Sequence, residues 1–329
     1  MSDKDPGRGS PGDEVVRERV VPAALAGLRA DRAAAELLPE FSRAQLTRWL
    51  REGALTFDRR ALAPKSRLVG GELLRLQVSL AVDRGLEPQT VAFGLCYEDD
   101  DLLIVNKPAG VVVHPGAGNP DHTLVNGLIE HRPALKTLPR AGLIHRLDKG
   151  TSGLLIAACN ERSLKVLTQA MSNRVIVRRY QAVVEGQMTG GRDIEAPIGR
   201  DPRNRLKQRV REGGRYALTR IRLIERFRAH TQIEAQLATG RTHQIRVHLS
   251  SIGYPLLGDR TYGARGVLPT RPTQDLVELL RGFDRPALHA YCLELSHPRD
   301  ARKLRFEAEA PSDFQALLSA IRRDRETEE

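Results

Sequence analysis

The feature of this sequence that most restricts its fold is a series of short strand-like segments, which begins near Cys96 and continues almost to the end of the chain. The candidate strands are Leu102–Val105, Gly110–Val113, Gly153–Ala158, Tyr180–Val184, Thr219–Ile224, Thr231–Ala235 and Leu304–Ala308. Helical periodicity appears at Thr123–His131, Arg162–Asn173, Gln244–Ile252 and Gln274–Phe283. Because strands and helices do not alternate regularly, the pattern favours a mixed, largely antiparallel α+β fold over a doubly wound parallel sheet.

The composition limits how such a fold is built and what it binds. Aromatic residues make up only 4% of the chain, so the core depends on Leu, Val, Ile and Ala. Lys and Arg number 52 against 41 Asp and Glu, and the net charge of +11 favours a polyanion: RNA, DNA or an acidic membrane. The three cysteines lie far apart, which argues against a zinc ribbon or a disulfide framework. With no membrane-length apolar run and no signal peptide, the sequence predicts a cytoplasmic protein without a membrane span.

The chain also divides into segments of different character. Residues 1–16 are rich in Gly, Pro, Ser and charge, and we predict a disordered arm. Residues 17–80 form a small unit, 81–95 a linker, 96–315 the strand-rich domain, and 316–329 a charged tail. From Pro311 the pattern predicts a short helix and then a charged end, Arg322–Glu329.

The small unit combines helical leucine spacing, an amphipathic helix and two short strand-like runs. The polar side of that helix carries Arg43, Arg48 and Arg51, a basic face suited to RNA. Two helices with a basic face beside a small sheet resemble an S4 RNA-binding domain. Asp58-Arg59 stands where that family usually has an Asn-Gly turn, which leaves the turn geometry open. The alternative is a generic helical subdomain with a solvated basic face.

The densest unusual segment surrounds Asp148. It reads Gly142-Leu-Ile-His145-Arg146-Leu147-Asp148-Lys149-Gly150-Thr151-Ser152-Gly153 and leads into an apolar strand. The carboxylate therefore lies at a strand end, where small residues permit close approach by a ligand. The cations on either side favour its ionised form, which could act as a base or a nucleophile. A helix cap or a structural ion pair is the alternative role.

A second dense segment places two arginines and two histidines within residues 241–248. Its histidines, His243 and His248, are five positions apart, whereas two metal ligands on one helical face are four apart. No acidic ligand is close in sequence, so we favour an anion or carboxylate partner for Arg241 and Arg246 over a metal.

These segments resemble the motifs of the RluA-type family of pseudouridine synthases. The resemblance rests on His145-Arg146-Leu147-Asp148-Lys149-Gly150-Thr151-Ser152-Gly153, on the segment from Tyr97 to Asn119, on Thr239–His248, on Gly253–Gly263, and on Ala287–Ala290 with His297-Pro298. It covers residues 17 to about 315. Within the family, the chain is most similar to members that carry an S4 domain and act on the large ribosomal subunit.

The resemblance implies an isomerase that converts specific uridines of 23S rRNA to pseudouridine after flipping the base. By motif position, Asp148 is the catalytic aspartate, Tyr180 the aromatic residue that stacks on the base, Arg246 the partner of Asp148, and Arg146 the residue that fills the vacated space. Lys107 and His114 are assigned to the pocket rim and His145 to a structural role. The chemistry needs neither metal nor organic cofactor, and we expect a monomer.

Two other functions remain open at this point. Asp148-Lys149-Gly150-Thr151 superficially resembles the aspartyl-phosphate enzymes of the haloacid-dehalogenase type, but no second acidic pair for magnesium follows it. A catalytically inert RNA-binding or ribosome assembly factor would have the same basic front unit and the same charge. The combination of Asp148, Tyr180 and Arg246 argues against such a factor.

Overall fold

The structure is a computed structural model that describes residues 14–39, 41, 43–79, 86–116, 118–204, 206–263 and 266–326. The chain forms two units, Met1–Gly85 and Leu86–Glu329. Within the described ranges, no helix is both long and apolar enough to cross a bilayer.

The first unit is a small antiparallel sheet with two helices. Its strands are β1 (Glu14–Val20), β2 (Leu55–Phe57) and β3 (Leu73–Ser79), in the order β1-β3-β2. Its helices are α1 (Ala30–Leu37) and α2 (Arg43–Glu52). Helix α2 buries Leu46, Trp49 and Leu50, which recur at helical spacing. Its apolar side therefore faces the core of the unit, and its arginines lie on the polar side.

The turn after β2 forms without the glycine that such turns usually use. Asp58 and Arg59 both adopt positive φ, 47° and 60°. Phe57 and Arg60 exchange two backbone hydrogen bonds across the turn, at 3.0 and 2.8 Å. The Asp58 carboxylate accepts a hydrogen bond from the backbone N–H of Leu73 at 2.9 Å. Asp tolerates the left-handed region better than most residues, and this bond holds the turn against β3.

The segment limits differ from the sequence predictions at three places. Residues 1–13 of the predicted arm, 1–16, lie outside the described residues. Residues 14–16 belong to β1, because their backbone groups pair with β3. In the predicted linker, 81–85 lie outside the described residues and 86–95 belong to the second unit: the Asn126 side chain binds the Glu87 carbonyl, and β4 starts at Gly94.

The short helix predicted from Pro311 is present, and it runs further into the predicted charged tail, 316–329, than expected. Residues 312–326 form the last helix, α7 (Ser312–Glu326), which buries Phe314, Leu317 and Ile321. Most charges of this segment lie on the outer side of an amphipathic helix, where Arg322 and Arg325 bind Glu225. Asp324 is buried and binds Arg228 at 3.1 Å. Apolar residues at helical spacing therefore outweigh the high charge.

The second unit is built around a nine-stranded mixed sheet. Its strands are β4 (Gly94–Glu98), β5 (Leu102–Lys107), β6 (Ser152–Ala158), β7 (Val177–Glu185), β8 (Arg192–Glu195), β11 (Leu218–Arg226), β12 (His230–Leu237), β13 (Leu288–Ser296) and β14 (Lys303–Glu307). Neighbouring strands in the sheet follow the order β4-β5-β6-β13-β7-β12-β11-β8, and β14 pairs with β13. A separate hairpin joins β9 (Ile198–Arg200) to β10 (Gln208–Val210). Among the described strands, β6 and β13 form the one parallel pair, which confirms the predicted α+β class.

Helices cover both faces of this sheet. They are α3 (Leu124–His131), α4 (Glu161–Ser172), α5 (Gln244–Ser251), α6 (Gln274–Gly282) and the already described α7. Strand β6 is buried along its whole length, so its residues contribute to packing on both faces. The predicted strand Gly110–Val113 is a loop instead, and the sequence prediction missed the central strand β13.

Candidate active site

The main concave feature of the second unit is a cavity of about 770 Å³. Four of the residues predicted from the sequence line it: Arg146, Asp148, Tyr180 and Arg241. Arg246 borders a small adjoining cavity of about 50 Å³ that shares Asp148 and Tyr180 with the large one. The topology thus joins residues that are almost a hundred positions apart in the chain.

Asp148 lies in a tight turn immediately before β6. Its carbonyl accepts a hydrogen bond from the Thr151 amide at 3.0 Å. Gly153, at φ 117°, follows within β6, where a Cβ would lie 2.3 Å from the carbonyl oxygen of Ala290 on β13. Only glycine permits this approach. The turn is therefore fixed at the place where β6 begins to pair with β13.

Lys107 binds the backbone of the same turn from the protein interior. Its assignment to the pocket rim is therefore wrong. The side chain is fully buried. Its ammonium donates hydrogen bonds to the carbonyls of Pro108, Val111 and Lys149, at 2.8, 2.9 and 3.3 Å. Burial lowers the pKa of Lys107 to about 7, but three carbonyl acceptors favour the protonated form. The lysine binds the residue next to Asp148 and so anchors this turn.

Arg246 connects Asp148 to a second carboxylate that the sequence analysis did not single out. Its Nη1 donates to Asp148 Oδ2 at 3.0 Å, while Nε and Nη2 bind both oxygens of Asp259 at 2.7 and 2.9 Å. Burial alone lowers the pKa of Arg246, but Asp259 and then Asp148 outweigh that effect and raise it above its ordinary value. The buried Asp259 thus holds the guanidinium in one orientation and leaves one N–H group for Asp148.

His243 lies beside the other oxygen of Asp148, and its ring also contacts the hydroxyl of Tyr262. The backbone N–H of Gln208 donates to Tyr262 Oη at 2.9 Å, and the same oxygen lies 2.7 Å from His243 Nδ1. When the phenol O–H donates to Nδ1, the imidazole proton is on Nε2, which lies 3.8 Å from Asp148 Oδ1.

His243 is also strained and uncharged. It adopts φ 56° at the start of α5, a conformation that non-glycine residues seldom take. Burial lowers the pKa of His243, so the ring is neutral at neutral pH. Because 3.8 Å is too long for a hydrogen bond, Oδ1 accepts none from the described residues and is the free oxygen of Asp148.

We expect Tyr262→Phe to lower the single-turnover rate about tenfold, the equivalent of about 1.4 kcal/mol for one lost hydrogen bond. The ring keeps its place under the Arg246 guanidinium, 4.9 Å from its carbon, but the histidine tautomer is no longer fixed. The measurement is the single-turnover rate at saturating substrate across the pH range. Tyr254→Phe is the matched control, since that hydroxyl contacts only the Gln187 carbonyl at 3.5 Å. An unchanged rate and pH profile would contradict this role.

Tyr180 forms part of the cavity wall on β7. It is 4% exposed and lies beside Ala235 of β12 and Ala290 of β13. Burial raises the pKa of Tyr180, with Arg178 acting against the increase and Asp148 adding to it. The phenol is therefore protonated at neutral pH, and its neighbours on both strands are small, which leaves room beside the ring.

The predicted arginines occupy different environments. Arg146 is exposed at the cavity, as are Arg140 and Arg174. Arg241 is partly buried, and its Nε donates to the Tyr216 carbonyl at 3.0 Å. In the first unit, Arg43 binds the buried Asp31 at 2.9 Å, whereas Arg48 makes only a 3.8 Å contact with Glu52. Arg43 therefore has a structural partner that the sequence analysis did not foresee.

Two histidines of the cavity are kept neutral by burial. It lowers the pKa of His114 to about 4, helped by Arg140 and Arg146, and that of His145 to about 3, helped by Arg178. The Ile156 amide donates to His145 Nε2 at 3.1 Å. His145 therefore carries its proton on Nδ1, which is buried without a partner among the described residues, so its structural role is only half satisfied.

The described residues offer one cluster with metal-ligand chemistry, and it lies apart from this cavity. Asp99, Asp101 and His297 bring ligand atoms within 4.8 Å of one another. Arg299 binds Asp101 at 2.5 Å, and His297 binds Asp99 at 2.9 Å. Ion pairs and hydrogen bonds thus account for the cluster without a metal. The ring nitrogens of His248, meanwhile, are occupied by Thr219 and Ala196.

Comparisons with known proteins match this chain to one family. Residues 101–251 match the family described as RNA pseudouridylate synthase. The chain is 47% identical to the ribosomal large subunit pseudouridine synthase D of Xanthomonas campestris pv. campestris, over 98% of this chain and 97% of that protein. The corresponding protein of Pseudomonas aeruginosa is 44% identical over 95% and 98%.

A solved structure supports the same fold. The human RNA pseudouridylate synthase domain containing 1 superposes with a TM-score of 0.52 at 27% identity, over 68% of this chain and 86% of that one. The full-length relatives and the arrangement around Asp148 agree with the family identified from the motifs. This chain belongs to the RluA-type family of RNA pseudouridine synthases and is an isomerase.

Proposed function

We propose that this protein converts specific uridines to pseudouridine in the RNA of the large ribosomal subunit, with Asp148 as the catalytic residue. One observation carries the proposal: Asp148 lies on the wall of a cavity of about 770 Å³, with one oxygen bound to Arg246 at 3.0 Å and the other without a hydrogen bond from the described residues. The relatives in Xanthomonas and Pseudomonas are named as synthases of the large ribosomal subunit, which supports the RNA class.

The reaction exchanges one bond for another without changing the oxidation state. The N1–C1′ bond breaks, the uracil rotates, C5 forms a bond to C1′, and the proton that leaves C5 is balanced by one gained at N1. Asp148 must be anionic to attack the ribose or to act on it as a base. Arg246 stabilises that anion, and the two hydrogen bonds from Arg246 to Asp259 keep the guanidinium beside Asp148.

Two further residues bind the flipped nucleotide and its surroundings. A uridine in a stem has to leave the base stack to reach a buried carboxylate, at a cost of a few kcal/mol. We infer that Tyr180 stacks on the base, an interaction worth about 1–3 kcal/mol. The exposed Arg146 is long enough to enter the space that the base leaves. Arg241 at the cavity contributes contacts to the RNA backbone.

We infer that the first unit is an S4-like RNA-binding domain and that its basic helix α2 contacts the RNA. Arg48 and Arg51 are exposed on this helix and available to phosphates. Arg43 contacts RNA only with the nitrogens that do not bind Asp31. We further infer a cytoplasmic monomer that acts on an rRNA stem–loop or on the assembling subunit. A catalytically inert assembly factor would have no use for the hydrogen-bonded set of Asp148, Arg246 and Asp259.

Pseudouridine mapping of total RNA tests the proposal. In cells that lack this gene, we expect one or a few large-subunit rRNA positions to lose pseudouridine, and the wild-type gene restores them. The gene for Arg48→Ser/Arg51→Ser should restore the same positions less completely, because phosphate contacts guide the RNA to the site. An unchanged rRNA map in the deletion strain would contradict the proposed substrate, and loss in tRNA alone would replace it.

A further inference from the structure

Arg178 of β7 is a buried cation without a counter-charge. The residue is only 7% exposed and lines the large cavity. Its Nε is inaccessible to solvent and has no acceptor in the described ranges of the chain. Among the residues that the structure describes, no carboxylate forms an ion pair with this guanidinium. A guanidinium does not lose its proton in a protein, so the charge remains.

Two other arginines of the second unit, one buried and one partly buried, show what is missing. Arg246 binds Asp148 and Asp259. Arg179, the next residue on β7, points to the opposite face of the sheet and binds Glu294 at 2.6 Å. Taking an unpaired charge out of water costs several kcal/mol. A fold that keeps Arg178 unpaired thus gives up stability that its neighbour retains, and an anion from outside the chain would recover it.

The surroundings of Arg178 are arranged for such an anion. Gly240 faces it, and a Cβ at that position would lie 3.0 Å from Nη1, so a larger residue would crowd the guanidinium. Tyr180 is two positions after Arg178 on β7, so both side chains lie on the same face of the sheet. The buried Nδ1–H of His145 is a second donor without a partner at the same cavity. Two unused donors and a space kept open by glycine form a site that lacks only an acceptor.

We propose that Arg178 binds a backbone phosphate of the substrate RNA next to the flipped uridine, with His145 Nδ1–H as a second donor. This inference rests on the proposed function, since it names a subsite for the same RNA. A phosphate is the fitting occupant because it carries the negative charge that a uracil carbonyl lacks. A planar guanidinium also binds phosphate oxygens in pairs. The exposed Arg140, Arg146 and Arg174 at the cavity guide the same strand inward.

The test is a cycle of protein and RNA changes with affinity as the readout. The probe is a synthetic stem–loop that carries the uridine found by mapping, with a neutral methylphosphonate on its 5′ or 3′ side. We expect Arg178→Met to weaken binding roughly 10- to 100-fold, the loss of a hydrogen bond to a charged group. A methylphosphonate at the bound position should weaken wild-type binding equally and add nothing to the variant.

Thermal stability separates this role from a structural one. Arg178→Met removes an uncompensated buried charge, so its melting temperature should equal or exceed that of the wild type. Arg179→Met is the matched control: it removes the 2.6 Å ion pair with Glu294 and leaves that carboxylate only the more exposed Arg305, at 3.2 Å, among the described residues. It should therefore lower the melting temperature and leave the effect of the methylphosphonate intact.

Three results would overturn the proposal. They are independent effects of Arg178→Met and methylphosphonate at both positions, a lower melting temperature with unchanged affinity, and loss of the Arg178→Met effect when the target nucleotide is abasic. The last result would mean that Arg178 recognises the base. A stem–loop that is bound but not converted by the wild type would contradict the proposed function, and the affinity cycle would still decide the role of Arg178.

Discussion

Replacing Asp148 by asparagine should abolish pseudouridine formation, with a rate loss of at least about 10⁴-fold, the scale seen when an essential catalytic group is removed. Asparagine has the same shape but cannot act as an anionic nucleophile or base. Arg246 keeps its two bonds to Asp259 in the variant, so we expect the melting temperature to change little. The measurement is pseudouridine content of the RNA by mass spectrometry, beside RNA affinity and thermal unfolding.

RNA affinity should remain near the wild-type value, because the phosphate contacts come from arginines that Asp148→Asn does not alter. Asp193→Asn is the control, since Asp193 on β8 makes only an exposed contact of 3.6 Å with Arg220. Continued product formation by Asp148→Asn would defeat the catalytic assignment. Loss of folding or of RNA binding would show that the variant reports on structure instead.

Replacing Arg246 by methionine should remove activity and stability together. Asp259 is 1% exposed and would lose the cation that binds both of its oxygens. Breaking a buried pair in this way costs about 3–5 kcal/mol of unfolding free energy. We also expect at least a 100-fold loss of rate, since Asp148 loses the hydrogen bond at 3.0 Å that favours its anionic form. Denaturant unfolding and single-turnover rates measure the two effects.

The double variant Arg246→Met/Asp259→Leu separates them. With both buried charges replaced by apolar side chains, most of the lost stability should return, while activity should not. Recovery of the rate together with the fold would mean that Arg246 acts only through packing. If neither recovers, the stability loss does not come from the unpaired Asp259.

The sequence predicted the strand-rich second unit and several of its elements closely. Strand β6 and helix α5 were expected almost at their observed limits, because an apolar run and a helical period are local signals. Strand β13 was missed even though it lies at the centre of the sheet. It pairs with β6, β7 and β14, and such pairing depends on partners distant in the chain.

The candidate site shows the same division. Asp148 and Tyr180 were found from motifs, and Arg246 was expected to pair with the aspartate. Asp259 was within a quoted motif but carried no assigned role, although a lone aspartate after glycine could have been considered as a partner for Arg246. Arg178 gave no signal, since one arginine in a basic chain is unremarkable until its burial is known.

The sequence by itself determined which residue types are present, the α+β class, and the motifs that identify the family, because these depend on local order along the chain. Only the tertiary structure decided which charges are paired. It gave Arg246 two carboxylates, placed the Tyr262 hydroxyl 2.7 Å from His243 Nδ1, and left Arg178 without any partner among the described residues. The physical reason is that the free energy of a buried charge depends on neighbours in space, and the strand register sets those neighbours across a hundred residues of chain.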